Sequence, residues 1–251
     1  MKRKLIIGLI ILFPNLLLSQ VVNVEGKRQS DENGWSGNTA FSFDYNASAQ
    51  IDWEFNNTTY LQWDNDSWSI LLLNEINIDR AGGIEFENDG FQHLRLSKHI
   101  NTIYTSETFI QNQFDPVRKI ENRKLMGTGV RVRFFDKNFV GFAAFYEREL
   151  LTDELINKDF RLSSYLQLDF DISKNIQFLS TTYFQPNIQL FSDFRLSTQS
   201  QLNFQITKNF YFTNTVEVMY DSSPAANVNE LTYRLQNGIQ LTFSLTIKCE
   251  L

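Results

Sequence analysis

The sequence predicts an antiparallel, up-and-down transmembrane β-barrel of about 12 strands. Three observations support this: a polar–apolar alternation of period two, a regular succession of short turns and longer polar stretches, and the lack of an apolar run long enough for a membrane helix after the N-terminal segment. The chain has only 11 Gly and 4 Pro among 251 residues, and its mean hydropathy is −0.29. A membrane helix needs about 20 consecutive apolar residues, and no such run follows the N-terminal segment. A barrel strand needs apolar side chains only at alternate positions, so this composition fits a barrel.

The N-terminus has the pattern of a secretory signal peptide. Three cations at positions 2–4 precede a short apolar core at 5–13, and the pattern predicts cleavage near Ser19 or Gln20. The core is too short and interrupted for the alternative, an N-terminal membrane anchor, and no Cys follows it for lipid attachment. The predicted organisation is a signal peptide at 1–20, a short periplasmic segment at 21–37 and an outer-membrane β-barrel at 38–251.

The alternation extends over most of the chain. Mainly apolar residues occupy every second position in four clear segments, 51–63, 68–78, 160–172 and 231–243, with a polar residue such as Asn57 at a few of these positions. On a helix these residues would be spread around the axis, whereas on a strand they share one face. Most segments have ten or more residues, which matches the roughly 9–11 residues of a tilted membrane strand. Dividing residues 39–63 near 46–50 gives an even strand number, with both chain ends at the periplasm.

Short and long connections alternate along the chain. Tight polar turns are predicted at 64–66, 98–101, 136–138, 173–175 and 207–209. Longer polar stretches are predicted as loops at 80–89, 115–122, 152–158 and 221–229. This succession is typical of a meander of hairpins. In membrane barrels the tight turns face the periplasm and the long loops face outward.

The polar face of the strands is predicted to line the interior. A soluble β-sandwich or a secreted lipocalin-like barrel would instead have the apolar face inside, but about 12 long strands make a barrel too wide to fill that way. An Arg facing lipid would cost about 2–4 kcal/mol at the bilayer midplane. The residues predicted to line the lumen are Glu75, His93, Arg95, Glu107, Arg131, Arg133, Glu147, Arg161, Asp169, Arg195, Glu217 and Arg234. Both signs are present, so they form either an ion-pair network that fills the lumen or the wall of a polar pore.

The sequence predicts neither an enzyme nor a cofactor or metal site. The two histidines, His93 and His99, are six residues apart on one strand, or roughly 20 Å, and cannot share an ion. A turn directly after His99 would place His93 opposite Ser106 and Glu107, but these two side chains point to opposite faces. A Ser-His-Glu hydrolase acting on lipid is therefore the least favoured alternative. Residues 127–129 (Gly-Thr-Gly) are too short for a phosphate loop and predict close packing in the wall.

Charge and aromatic content indicate the partners. Removal of the leader with its three cations changes the net charge from −6 to −9, which argues against nucleic acid. The expected partners are outer-membrane lipid, the barrel-insertion machinery and small polar solutes. The single cysteine, Cys249, excludes an internal disulfide. Candidates for the aromatic belts at the membrane surfaces are Trp53, Trp63, Trp68, Tyr146, Tyr220 and Tyr233.

Four short segments resemble one known family. They are residues 34–38, 71–74, 90–95 and 123–131, and they resemble the DUF481 family, described as salt-induced outer membrane proteins. The resemblance implies an outer-membrane barrel of undefined role and supplies no catalytic residues. The expected function is a narrow channel or a small-solute binder, and the alternative is a structural or envelope-stress barrel with a filled lumen. The Asn- and Lys-rich turns and the Ser-Gln end of the leader are typical of Bacteroidota.

Overall fold

The chain forms one antiparallel sheet of 12 strands within the residues that the structure describes. This structure is a computed structural model, and it describes Val24 and residues 33–47, 51–81, 84–207, 210–225 and 228–241. The predicted signal peptide lies outside these residues. A short 3₁₀ turn, Pro116–Arg118, follows β5. The strands are β1 (Gly34–Ala47), β2 (Ile51–Asp64), β3 (Trp68–Ala81), β4 (Ile84–His99), β5 (Tyr104–Asp115), β6 (Ile120–Phe135), β7 (Asn138–Leu151), β8 (Ile156–Ser173), β9 (Ile176–Pro186), β10 (Phe194–Thr207), β11 (Phe210–Asp221) and β12 (Leu231–Leu241).

The strand order is that of a simple meander. Each strand pairs with the next one along the chain, from β1 to β12. The described residues form no ladder between β1 and β12, which remain the two ends of the sheet. The sheet is strongly curled. On its inner face, Arg195 of β10 lies 2.9 Å from Glu147 of β7, three strands away, which a flat sheet would not allow. The fold is therefore an antiparallel up-and-down β-barrel, as the sequence predicts.

Exposure alternates along each strand in the sense expected of a membrane barrel. On β4, Leu94 and Leu96 expose 41% and 43% of their surface, whereas His93 and Arg95 expose only 2% and 5%. A soluble protein keeps such charged side chains outside and such apolar ones inside. Here the apolar residues form the outer surface, and the polar ones face the interior. No helix among the described residues is long and apolar enough to cross a membrane.

The tight turns lie at one end of the barrel, which we call the tight-turn end. They connect β2 to β3, β4 to β5, β6 to β7 and β8 to β9, as predicted, and the fifth, at 208–209, lies outside the described residues. Asn65 accepts hydrogen bonds from the backbone N–H of Ser67 and Trp68, both at 2.8 Å. Asn101 does the same two and three residues further on, at 2.8 Å. The asparagines in these turns therefore supply the acceptors that the reversing backbone needs.

The opposite end, which we call the loop end, differs in two places from the prediction. The loop predicted at 80–89 is wrong, because β3 continues to Ala81 and β4 begins at Ile84. Residues 80–89 carry four charged residues and two glycines, which is why the sequence predicts a polar loop there. Residues 187–193 form a loop between β9 and β10 that was not predicted, since it carries the exposed apolar residues Ile188, Leu190 and Phe191. The loops at 116–119, 152–155 and 222–230 agree with the prediction.

Candidate functional site

A buried ionic cluster occupies the inner face toward the loop end. We call it the Glu147 network, and it consists of Glu147 (β7), Arg123 (β6), Arg161 (β8) and Arg195 (β10). Arg123 Nε donates to Glu147 Oε2 at 2.7 Å, and its Nη2 donates to the same oxygen. Arg195 Nη1 lies 2.9 Å from Glu147 Oε1, and Arg161 Nε lies 3.4 Å from it. Glu147 is only 1% exposed, so one carboxylate holds three guanidinium groups away from water.

Further carboxylates balance the three arginines. Arg195 Nη2 lies 3.3 Å from Glu149 Oε1, and its Nε lies 3.1 Å from Asp221 Oδ2. Arg161 Nη2 lies 2.8 Å from Asp193 Oδ2, in the loop between β9 and β10. Buried charges are tolerated when they are paired and hydrogen-bonded. The network therefore joins strands β6 to β11 across the curve of the wall.

A second polar cluster surrounds His93. Its Nδ1 lies 3.1 Å from Gln111 Oε1, and its Nε2 accepts from Arg95 Nε at 3.3 Å. Arg95 Nη1 in turn lies 3.2 Å from Glu107 Oε2. The His93 ring is stacked between Phe91 and Phe109, with centroids 5.8 and 5.7 Å away. This arrangement packs and orients the imidazole within the interior.

The predicted register of the β4–β5 hairpin is wrong. His93 pairs with Gln111, whereas Ser106 pairs with Lys98 and Glu107 with Ser97. The turn extends over residues 100–103 rather than following His99 directly, because Asn101 caps it. Ser106 therefore lies nearer the turn than His93, and it faces outward whereas His93 faces inward. The Ser-His-Glu set does not assemble.

The other residues predicted to line the lumen differ in exposure. Arg131 is buried, with its guanidinium carbon 3.4 Å from the centroid of the Phe139 ring. Glu75, Asp169 and Glu217 are half-buried, and Arg133 and Arg234 are exposed. That all of these residues line an open passage stays a prediction.

Arg123, a member of the network, and Glu149, which pairs with Arg195, were not among the predicted residues. Arg123 follows the segment that was read as a loop, although its odd position matches that of Arg131 on the same strand. Glu149 stands two residues after Glu147 and so shares its face. Extending the parity of β6 and β7 to their ends would have found both.

Small residues on β6 and β7 make room for rings inside the barrel. A Cβ on Gly127 would lie 2.6 Å from Phe109 Cζ, and one on Gly141 would lie 2.0 Å from Tyr165 Cε1. These distances leave no space for a side chain, which confirms the prediction of close packing at 127–129. A cavity of about 50 Å³ remains among His93, Phe145 and Tyr165. The interior beside β4 to β9 is therefore largely filled.

A larger pocket opens at the loop end, above the Glu147 network. Its volume is about 340 Å³, and its charged lining consists of Arg118, Arg123, Arg195, Glu149, Asp153 and Asp221. Arg118 is 3% exposed, and its Nε lies 3.1 Å from Asp115 Oδ2. Its Nη1 and Nη2 have no hydrogen-bond partner within the described part of the chain. Burial lowers the pKa of Arg118 to about 10, against the opposite effect of nearby carboxylates such as Asp115, so it stays cationic at neutral pH.

The described residues contain no group of three or more His, Cys, Asp or Glu side chains that could hold a metal ion. Two of the acidic groups that line the pocket, Glu149 and Asp221, are instead paired with Arg195. Recognition there would rest on guanidinium and amide groups.

Comparison with known proteins identifies the family. A search of the curated proteins gives no match. Among solved structures, the NanC porin is 11% identical with a TM-score of 0.47, covering 82% of this chain and 99% of that chain. The KdgM porin is 12% identical with a TM-score of 0.43, covering 80% and 99%. The KdgM porin in complex with disordered oligogalacturonate is 14% identical with a TM-score of 0.41, covering 80% and 99%.

The family model described as "Protein of unknown function, DUF481" matches residues 19–246. This match covers most of the chain, and it agrees with the resemblance seen in the sequence. The chain belongs to the DUF481 family.

Proposed function

We propose that this protein is an outer-membrane barrel that takes up small polar solutes through a narrow interior, with a binding pocket at its loop end. The observation that carries the membrane location is the alternation of exposure along the strands, as at Leu94 and His93. An apolar outer surface of this extent is stable only when lipid covers it. The tight-turn end then faces the periplasm, and the loop end faces outward.

We infer that any passage through the interior lies beside β10 to β12. Beside β4 to β9, the Glu147 network and the rings near Gly141 fill the space. At β10 to β12 the inner side chains differ in burial. Arg195, Met219 and Thr232 are buried, whereas Gln199 and Glu217 are half-buried and Arg234 is exposed. Glu217 and Arg234 pair directly across β11 and β12, so a passage here carries both signs of charge.

The pocket at the loop end suits a small solute with an acidic group. A volume of about 340 Å³ lies within the usual range of small-molecule sites, roughly 300–1,000 Å³. Glu149 and Asp221 already pair with Arg195, whereas the terminal nitrogens of Arg118 lack hydrogen-bond partners within the described part of the chain. These nitrogens are buried, so a shift of the Arg118 side chain would have to bring them to a solute. A carboxylate or phosphate group of that solute would then supply the acceptors that they lack.

The second candidate is a structural barrel without transport. The Glu147 network favours it, because one carboxylate with three buried arginines stiffens the wall whether or not anything passes. We propose no catalytic role, since Ser106 lies on the outer face and away from His93. Membrane insertion and solute binding can be tested separately.

We expect the protein to fractionate with outer membranes and to run as two bands on a gel. Unboiled samples should migrate faster than boiled ones, because a barrel resists the detergent until it is heated. The measurement is a comparison of unboiled and boiled membrane fractions by immunoblot. Recovery of the protein in solution without detergent, with a single band, would rule out the membrane barrel.

We expect D-gluconate to bind and sorbitol not to bind. The two compounds share a six-carbon chain and five hydroxyl groups, and the carboxylate of gluconate, which can pair with Arg118, replaces the C1 hydroxymethyl group of sorbitol. The purified barrel should show a higher unfolding temperature with gluconate, and Arg118→Gln should lose most of this shift, because a charged hydrogen bond contributes about 1.5–3 kcal/mol. Lys119→Gln, next to it in the loop, is the matched control and should keep the shift. Equal shifts with both compounds, or none with either, would contradict the site.

A further inference from the structure

Three cations stand directly opposite one another on neighbouring strands, on the outer face of the barrel, and we call them the cation row. Lys124 of β6 pairs with Arg148 of β7, and Arg148 pairs with Lys158 of β8. Lys124 and Lys158 are exposed, and Arg148 is half-buried. Within the described residues, the side chains of the row form no ion pair or hydrogen bond with another residue. Like charges directly opposite each other on neighbouring strands destabilise a sheet, so an anion is needed to offset them.

The cation row lies close to the loop end of its three strands. Lys124 is four residues after the start of β6, Arg148 is three before the end of β7, and Lys158 is two after the start of β8. Toward the tight-turn end, the next outward residues of these strands are the apolar Met126, Tyr146 and Phe160. Toward the loop end, one further outward pair, Leu150 and Ile156, separates the row from the loop between β7 and β8.

A chain of amide side chains stands at the same level on the neighbouring strands. Asn74 donates to Asn57 at 3.0 Å, and Gln92 donates to Asn74 at 3.4 Å. Asn112 donates to Gln92 at 2.8 Å, and Asn122 donates to Asn112 at 2.9 Å. These amides lie on the outer face of β2 to β6 and satisfy one another. Polar groups in the hydrocarbon would be costly, so their level corresponds to the lipid headgroups.

An apolar groove begins at the cation row and extends along the outer wall. Its volume is about 520 Å³, and Lys124 and Arg148 line it together with Leu72, Leu94, Ile110 and Met126. Its lining is almost entirely carbon on the side away from the cations. A groove that is apolar along its length and cationic at the headgroup level matches an anionic lipid.

We propose that this face binds a phosphorylated lipid of the outer leaflet, with a phosphate across the cation row and an acyl chain in the groove. The proposal rests on the membrane location proposed above. A phosphate dianion offers several acceptor oxygens, which can bridge neighbouring cations and accept two parallel hydrogen bonds from Arg148. A phosphate alone would leave the groove empty, and a neutral lipid would leave the cations unpaired.

The test compares two triple variants with equal charge change. Lys124→Gln, Arg148→Gln and Lys158→Gln together remove the cation row. Lys98→Gln, Lys137→Gln and Lys174→Gln remove three exposed cations at the tight-turn end. Each purified barrel is mixed with diphosphoryl lipid A in detergent, and the bound lipid is counted by native mass spectrometry. Each basic residue near an anionic membrane surface contributes about a few-fold to binding, so we expect at least tenfold less lipid on the cation-row variant and wild-type retention on the control.

Two further arms identify what is recognised. In the first arm, the wild type is mixed with lipid A that lacks both phosphates. It should retain this lipid poorly, to about the same low level at which the cation-row variant retains diphosphoryl lipid A. Inorganic phosphate, at the concentration of the lipid, should not displace it. Three results would each overturn the proposal. The first is that both triple variants retain the same amount of lipid. The others are that the wild type retains dephosphorylated and diphosphoryl lipid A equally, or that inorganic phosphate displaces the lipid.

The fold of the variants is monitored by the faster band of unboiled samples. Without lipid, the cation-row variant should unfold at the same or a higher temperature than the wild type, because it removes repulsion. If the cation-row variant loses lipid but keeps the faster band, its barrel is folded and only the lipid site is affected. Absence of the faster band in the wild type would instead contradict the membrane barrel itself.

Discussion

Glu147→Gln is expected to lower the free energy of unfolding by about 3–5 kcal/mol, the range for breaking a buried ion pair. The Glu147 carboxylate is the shared partner of Arg123, Arg161 and Arg195. A neutral amide in its place leaves three buried guanidinium groups with less compensating charge. The measurement is the urea midpoint of the purified barrel in detergent, followed by the loss of the faster band in unboiled samples.

Two comparisons separate the network from a general effect of acidic residues. Glu154→Gln removes an exposed carboxylate from the loop that follows β7 and should change stability by less than about 0.5 kcal/mol. Arg161→Gln removes only one of the three cations and should cost less than Glu147→Gln, because the carboxylate keeps two partners. Combining Glu147→Gln with Arg161→Gln should cost less than the sum of the two, since the double variant has one fewer unpaired charge. A Glu147→Gln barrel as stable as the wild type would show that the network does not hold the wall.

The strands and their faces could be predicted because a membrane imposes a pattern on the sequence. Leu94 and Leu96 face outward while His93 and Arg95 face inward, and this alternation can be read directly from the sequence. The prediction failed at 80–89, where the β3–β4 hairpin continues beyond the apolar belt. Ile84 and Phe86 alternate with Glu85 and Glu87 there, but this alternation is short, and four charged residues and two glycines within ten positions gave the stretch the composition of a loop.

The membership of the ionic cluster could be predicted in part, but not its geometry. Glu147, Arg161 and Arg195 carry the parity of the inner face, and each was named from the sequence. Their meeting depends on how tightly the sheet curls between β7 and β10, which no local pattern specifies. The exact register of β4 and β5 likewise depends on the length of one turn, and a shift of a few residues there separated His93 from Ser106.

We expect the purified barrel to form small, steady openings in planar bilayers, with an ion preference set by Glu217 and Arg234. These residues face each other across β11 and β12, on the side of the interior that the Glu147 network does not fill. Two unit charges 4 Å apart interact by about 1 kcal/mol even at the dielectric constant of water, so one charge in a narrow passage changes the permeability ratio severalfold. Glu217→Gln should shift the reversal potential under a salt gradient toward anion permeation, and Arg234→Gln should shift it toward cation permeation.

The opposite signs of the two shifts make the experiment decisive. A variant that merely loosened the barrel would change the conductance without moving the reversal potential in a direction set by the charge removed. Glu154→Gln serves again as the control, because an exposed loop carboxylate outside the passage should leave the reversal potential unchanged. If the wild type shows no openings over many insertions, the barrel is filled on both sides, and the structural role becomes the better account. Openings whose selectivity depends on Glu217 and Arg234 would instead mean that the Glu147 network narrows the interior to one charged side. A 12-stranded wall narrowed in this way can admit small polar solutes and still exclude larger ones.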